Sequence, residues 1–138
     1  MLWFLTALAG TPELCNGIDD DANGLVDDGA PCGSCTQLND PNTGGSYLQC
    51  TTSLHQDEAA QECAGHGYHL LDIGSATEND LIVSWWDGNQ YWLGLNDLVS
   101  TNDWRDSTGA PQTFFFWDDT FFPVQPDNVT QHCVHLYH

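Results

Sequence analysis

Basic residues are almost missing from this chain. Its 138 residues hold one cation, Arg105, against 20 aspartates and glutamates, for a net charge of −19. Nucleic acid is excluded as a partner, because binding it takes lysines and arginines to neutralise phosphates. An anionic membrane surface is excluded on the same ground. Long apolar runs are missing too. Residues 1–9, MLWFLTALA, fall far short of the roughly 20 residues that span a bilayer, so membrane insertion is not expected. No GxSxG, phosphate-loop, dinucleotide-fold or HExxH pattern occurs. Nothing singles out two of the carboxylates as a glycosidase pair. These absences point away from an enzyme.

What is present bounds the rest. The chain is 41% hydrophobic and 12% aromatic, with six tryptophans, enough to bury a core in one domain with a small appendage and too much for a disordered tail. Many carboxylates with few cations leave solvation or divalent cations to relieve the repulsion, which points to calcium. The cysteines, at 15, 32, 35, 50, 63 and 133, are even in number and dispersed, as in the disulfide framework of an exported protein. Cys32-Gly-Ser-Cys35 has redox CxxC spacing, but no strand is expected before it and no long helix after it. Ala7-Leu8-Ala9 fits a signal-peptidase site with Gly10 as the first mature residue. Residues 1–12 are therefore read as an apolar start, the remnant of an export signal, with a strand or apolar tail as the alternative.

Residues 13–34, ELCNGIDDDANGLVDDGAPCGS, form an Asp- and Gly-rich module. Asp19, Asp21 and Asn23 stand at the first, third and fifth positions of an EF-hand-type loop, with Gly24 at the sixth, where the chain must turn sharply. Leu25 offers a backbone carbonyl, and Asp27 or Asp28 closes the sphere. Position twelve is Ala30 and no helices flank the loop, so it is not a full EF-hand. The module resembles the short calcium repeats of thrombospondin-type and cysteine-framed secreted proteins, with Ala22 where that pattern has a second cysteine.

Residues 35–138 make up the larger part, and their pattern is α+β. The stretch NDPNTGG, 39–45, marks a turn. Ser53 and Gln56 read as a capping box, with Ala59, Ala60 and Cys63 on one helical face and Gly65 and Gly67 ending the helix. YHLLDI, 68–73, reads as a strand. A second helix starts at Ser75, with Glu78 completing its cap and Leu81, Ile82 and Trp85 inward, and Asp87-Gly88-Asn89 breaks it. YWLGL, 91–95, is a strand with Gly94 where side chains must stay out of the way. CVHLYH closes the chain as a strand. On a strand His132, His135 and His138 alternate faces, which argues against a histidine metal site. The aromatics 114–117 and Phe121-Phe122 suit either core packing or a stacking wall for a sugar or protein.

SYLQC (46–50), AAQEC with GYHLLDI, ATEN (76–79), WLGLND (92–97), Trp104, Asp106, Gly109, Trp117, QPDN (125–128) and HCVHL (132–136) together resemble a C-type lectin-like domain of the bacterial secreted kind. The resemblance implies that Trp92, Leu93 and Leu95 are scaffold. It implies that Gln125 and Asp127, astride a cis proline, hold a calcium ion that takes two sugar hydroxyls, with galactose-type order. Gln131 helps, Asn128 supports a neighbouring ion, and Trp117 adds stacking. Disulfides are expected from Cys15 to Cys32, closing the Asp-rich module, and from Cys35 to Cys50, pinning the start of the domain. The resemblance implies that Cys63 and Cys133 are free, because their family partners fall past His138. The family's WND ligands fall there too, which implies a domain lacking its C-terminal segment and holding this calcium weakly. The first family helix usually carries a tryptophan where Gln56 stands, and a glutamate is common where Gln131 stands. The expected function is a secreted or cell-surface, calcium-stabilised carbohydrate-binding module. The alternative is a domain on the same scaffold that binds another extracellular protein.

Overall fold

The structure, a computed structural model, describes residues 12–117 and 131–136. The proposed signal site, the QPDN stretch, Phe121-Phe122 and His138 lie outside them. The described residues divide into two compact units. One holds the residues up to 53 together with 65–68; the other holds 54–64 and those from 69 onward.

In the first unit, β1 (Cys35–Asn39) pairs antiparallel with β2 (Ser46–Cys50), in register from Cys35↔Cys50 to Asn39↔Ser46. The disulfide Cys35–Cys50 closes the open end of this hairpin. The predicted turn is its other end. Asp40 donates its N–H to the Gly45 carbonyl at 2.8 Å and accepts Gly44 N–H at 2.9 Å. Its carboxylate takes the Thr43 hydroxyl at 2.6 Å and the Asn42 N–H at 2.8 Å, and the Thr43 bond does most to hold that carboxyl below the usual range. A second disulfide, Cys15–Cys32, joins positions 17 apart in the Asp-rich module. A closure of that length stabilises by about 3 kcal/mol on the chain-entropy model. Cys32 and Cys35 thus bond to different partners, and the CxxC spacing makes no redox pair.

The second unit holds nearly all of α1 (Gln56–Gly65), with α2 (Ala76–Trp85), β3 (Tyr91–Asn96) and β4 (Cys133–Leu136). Helix α1 starts two residues later than the Ser53 cap predicts. The His55 carbonyl accepts Ala59 N–H at 2.9 Å, and Glu58 reaches back to the His55 N–H at 3.0 Å. A carboxylate satisfies an orphan N–H at the positive end of a helix better than a neutral amide does. Gln56, released from that role, points its amide at the Leu93 carbonyl, 3.4 Å away. Helix α2 begins as predicted. Ser75 Oγ accepts Glu78 N–H at 3.2 Å, and Glu78 takes the Gly74 N–H at 2.9 Å. It buries Ile82 and Asn79, with Leu81 and Trp85 half-buried.

β3 pairs antiparallel with β4, Tyr91 opposite Leu136 and Asn96 opposite Cys133, with an irregularity between. Leu93 and Leu95 are buried, joining Ile82 and Leu70 in the core. Trp92, half-buried, donates its indole N–H to the Leu54 carbonyl at 3.0 Å. Residues 68–73 do not form the predicted strand. Leu70 packs inward, but the bond from Gly94 N–H to the Leu71 carbonyl, 2.8 Å, is the segment's link to β3, and no ladder forms. The Asp72 side chain instead takes the N–H of Ser107 at 2.9 Å and its hydroxyl. Asp72 is thereby tied to the turn at Ser107 and not to a neighbouring strand.

Candidate functional site

The Asp-rich loop is built from its own carboxylates. Asp19 accepts Asn23 N–H at 3.1 Å and Gly24 N–H at 2.8 Å, and Asp21 accepts the same Asn23 N–H at 3.0 Å. The chain reverses at Gly24, φ +93°, where no atom lies near a would-be Cβ. The glycine is needed there for its backbone freedom and not for space. Asn23 Oδ1 accepts Leu25 N–H at 2.8 Å, and Asn23 Nδ2 donates to Asp21 at 3.2 Å and Asp28 at 3.0 Å. One amide thus supplies donors to two carboxylates that would otherwise repel.

Glu13 was not among the residues the motif singled out. It is buried, accepts Asp21 N–H at 2.7 Å and Asp27 N–H at 2.9 Å, and brings a carboxylate oxygen to those of Asp19 and Asp21, all within 4.8 Å of one another. Counting from Asp19 forward hid it. The available signal was an isolated acid in TPELC, next but one to Cys15. The donors gathered here are all oxygen, which fits a hard cation such as calcium and not a thiophilic metal. A second convergence, Cys15, Asp27 and Cys32, offers no thiolate, since its two sulfurs are joined.

The loop's two closing candidates part company. Asp28 lies with Asn23. Asp27 is fully buried and turned inward, accepting Asn16 N–H at 3.1 Å, Gly17 N–H at 3.0 Å and the Tyr68 hydroxyl. Burial first, and the Asp27 bond next, push Tyr68 up to about 12. The folded chain therefore keeps a proton that the unfolded chain releases near pH 10. This contribution to stability is complete below about pH 10 and falls as pH rises from about 10 to 12. Alkaline unfolding curves of the wild type should show that slope, and Tyr68→Phe should lack it. Equal slopes would refute the coupling.

Of the predicted sugar-site residues, Gln125, Asp127 and Asn128 lie outside the described residues. Gln131 is exposed just before β4. Trp117 is half-buried, its ring 5.6 Å from Phe115 and 5.1 Å from Trp104, while Phe116 is 74% exposed. The indole therefore packs among its own neighbours, and Phe116 faces outward. His132 points to the buried Asp97, 2.9 Å away, and His135 meets the Trp92 ring edge-on at 5.9 Å. Among the described residues no histidine joins a group able to hold a metal. Cys63 and Cys133 carry free thiols, and burial pushes both thiols up.

A family model for the lectin C-type domain matches residues 52–138. The alpha-N-acetylgalactosamine-specific lectin of Patiria pectinifera is 33% identical over 107 residues, covering 69% of this chain and 61% of that protein. Human C-type lectin domain family 17, member A, is 33% identical over 90 residues, covering 64% of this chain and 23% of that protein. The chain thus spans less than two thirds of the length of these curated relatives. The carbohydrate-recognition domain of the mouse scavenger receptor C-type lectin superposes with a TM-score of 0.54 at 24% identity, over 60% of this chain and 66% of that one, a likeness of fold. These proteins are named as lectins and receptors. Among the described residues no helix is long and apolar enough to cross a membrane.

Proposed function

The chain belongs to the C-type lectin domain family, and we propose that it is an exported, calcium-stabilised carbohydrate-binding module that carries out no catalysis. The observation behind this reading is the family match over residues 52–138, joined to a relative named as specific for alpha-N-acetylgalactosamine. The glutamine-before-aspartate order of Gln125 and Asp127 supports a preference for galactose-type sugars. Gln131 and Asn128 assist there, and Trp117 or its exposed neighbour Phe116 adds stacking. A separate calcium ion sits in the N-terminal loop, held by Asp19, Asp21, Asn23 and Asp28, the Leu25 carbonyl and Glu13. Six cysteines, four of them in disulfides, support an oxidising, secreted or cell-surface setting.

A glycan array on the full-length protein tests the sugar reading. Binding should favour galactose-type over mannose-type sugars, vanish with a chelator and vanish in Asp127→Ala, which removes the one carboxylate among Gln125, Asp127 and Gln131. Binding that survives the chelator, or none to any sugar, would favour the second reading, in which the scaffold binds an extracellular protein. The neutral Gln131 and the exposed Leu98, Val99 and Phe116 favour that alternative.

A further inference from the structure

Asp27 is the largest fully buried side chain described, and it is an acid. Burying a carboxylate is costly unless its oxygens are satisfied. Here they are. Oδ1 accepts Asn16 N–H at 3.1 Å and Gly17 N–H at 3.3 Å; Oδ2 accepts Gly17 N–H at 3.0 Å and the Tyr68 hydroxyl. Three donors, one of them the Gly17 N–H shared between the two oxygens, thus satisfy both oxygens of the carboxylate. The residue is tied by its backbone as well. Its N–H goes to Glu13 at 2.9 Å and its carbonyl takes Ala30 N–H at 3.0 Å, with φ at +55°. Alongside, Gly17 and Gly67 approach so closely that a Cβ on Gly67 would lie 2.1 Å from the Asn16 carbonyl oxygen. Every one of these ties lies within the first unit, and none of them needs a cation.

We propose that Asp27 is a positioning residue and not an ion ligand: with Tyr68 it forms a buried clasp that closes the Asp-rich loop with or without a cation, leaving Glu13, Asp19, Asp21 and Asp28 to face the ion. The second half of this statement rests on the calcium reading of the loop; the first half does not. The acids of the loop therefore divide by role: Asp27 inward as a lock, Asp20 on the Leu14 N–H and the Asn16 amide, and Glu13, Asp19 and Asp21 converging with one another, so that the loop is closed before any cation arrives.

Amide exchange followed by NMR in excess chelator tests the clasp. Asn16, Gly17 and Asp27 N–H should be protected without calcium. Tyr68→Phe should raise exchange at Asn16 and Gly17 by about tenfold, the loss expected for one bond to a charged group. Asp27→Asn should raise it further, and Tyr68→Phe keeps the question open to measurement if that variant fails to fold. Asp28→Asn should leave protection in chelator intact and weaken calcium binding by calorimetry, a split that a general loss of structure would not produce. Amides that exchange freely in chelator and become protected on adding calcium would overturn the clasp, because the ion would then be what orders the loop. Protection in chelator with no calcium uptake at all would uphold the clasp and remove the calcium reading.

Discussion

Gly94→Val should strongly destabilise the second unit, with an expected loss of about 3 kcal/mol or more, at the upper end for overpacked sites. Gly94 is buried between Leu93 and Leu95 on β3. A Cβ there would lie 2.1 Å from Asp72 Oδ1, 2.9 Å from Asp72 Cγ and 2.9 Å from Ser107 Cβ. The aspartate cannot swing away cheaply, because its carboxylate holds the Ser107 N–H and hydroxyl. The strand cannot retreat either, because Gly94 N–H is bonded to the Leu71 carbonyl. Gly94→Ala should show the same loss in smaller degree. Gly74, where a Cβ would meet only Glu78 Oε2 at 3.7 Å, is the control, and Gly74→Ala should be close to neutral. Urea unfolding read by tryptophan fluorescence measures all three. A Gly94→Ala variant as stable as the wild type would mean that the close approach of Asp72 is not a real constraint.

The same glycine shows how much of this fold is legible in the sequence. WLGL reads as a buried strand because its leucines flank a residue with no side chain, and the structure supplies the object that must fit there. The Ser75 cap is legible because one serine and one glutamate stand at the right spacing with no competitor. The start of α1 is not legible because two caps overlap, Ser53 with Gln56 and His55 with Glu58, and a count of residue types does not show that the carboxylate wins. The strand predicted at 68–73 failed for a tertiary reason. Its apolar run is real, and Leu70 is buried, but Asp72 is committed to Ser107, a partner 35 residues away. β1 was invisible because Thr36, Gln37 and Asn39 give no alternation of apolar residues; its pairing with β2 and the Cys35–Cys50 bridge define it. At the loop, the acids at alternate positions were legible, but Glu13 comes from outside the motif and was not. Nor does spacing reveal which of Asp27 and Asp28 turns inward, since the inward one is held by the N–H groups of Asn16 and Gly17 and by Tyr68, 41 residues on.

Calcium affinity should fall most steeply when a carboxylate of the loop is removed. Glu13, Asp19 and Asp21 bring three negative oxygens within 4.8 Å of one another, and Arg105, the only cation in the sequence, is committed to Asp103 at 2.7 Å. Like charges held that close repel, so a divalent ion among them gains both its own coordination and the relief of that repulsion. Ligand charge count sets affinity in such loops, so Asp21→Ala should weaken calcium by about tenfold or more. Asp19→Ala should do worse, because Asp19 also holds Asn23 N–H and Gly24 N–H and so shapes the turn itself. Asn23→Ala should cost less, since it removes a neutral oxygen. It should nevertheless loosen the segment, because Asn23 links Asp21 to Asp28. Glu13→Gln removes a negative charge from the cluster and also turns an amide NH2 towards the N–H of Asp21 or Asp27, since both Glu13 oxygens accept a backbone N–H. It should therefore lower affinity and loosen that corner of the disulfide-closed loop. Calorimetry with calcium on the wild type and these four variants ranks them. Identical isotherms for the wild type and Asp21→Ala would sink the site, and an unchanged Glu13→Gln would return the ligand set to the motif alone.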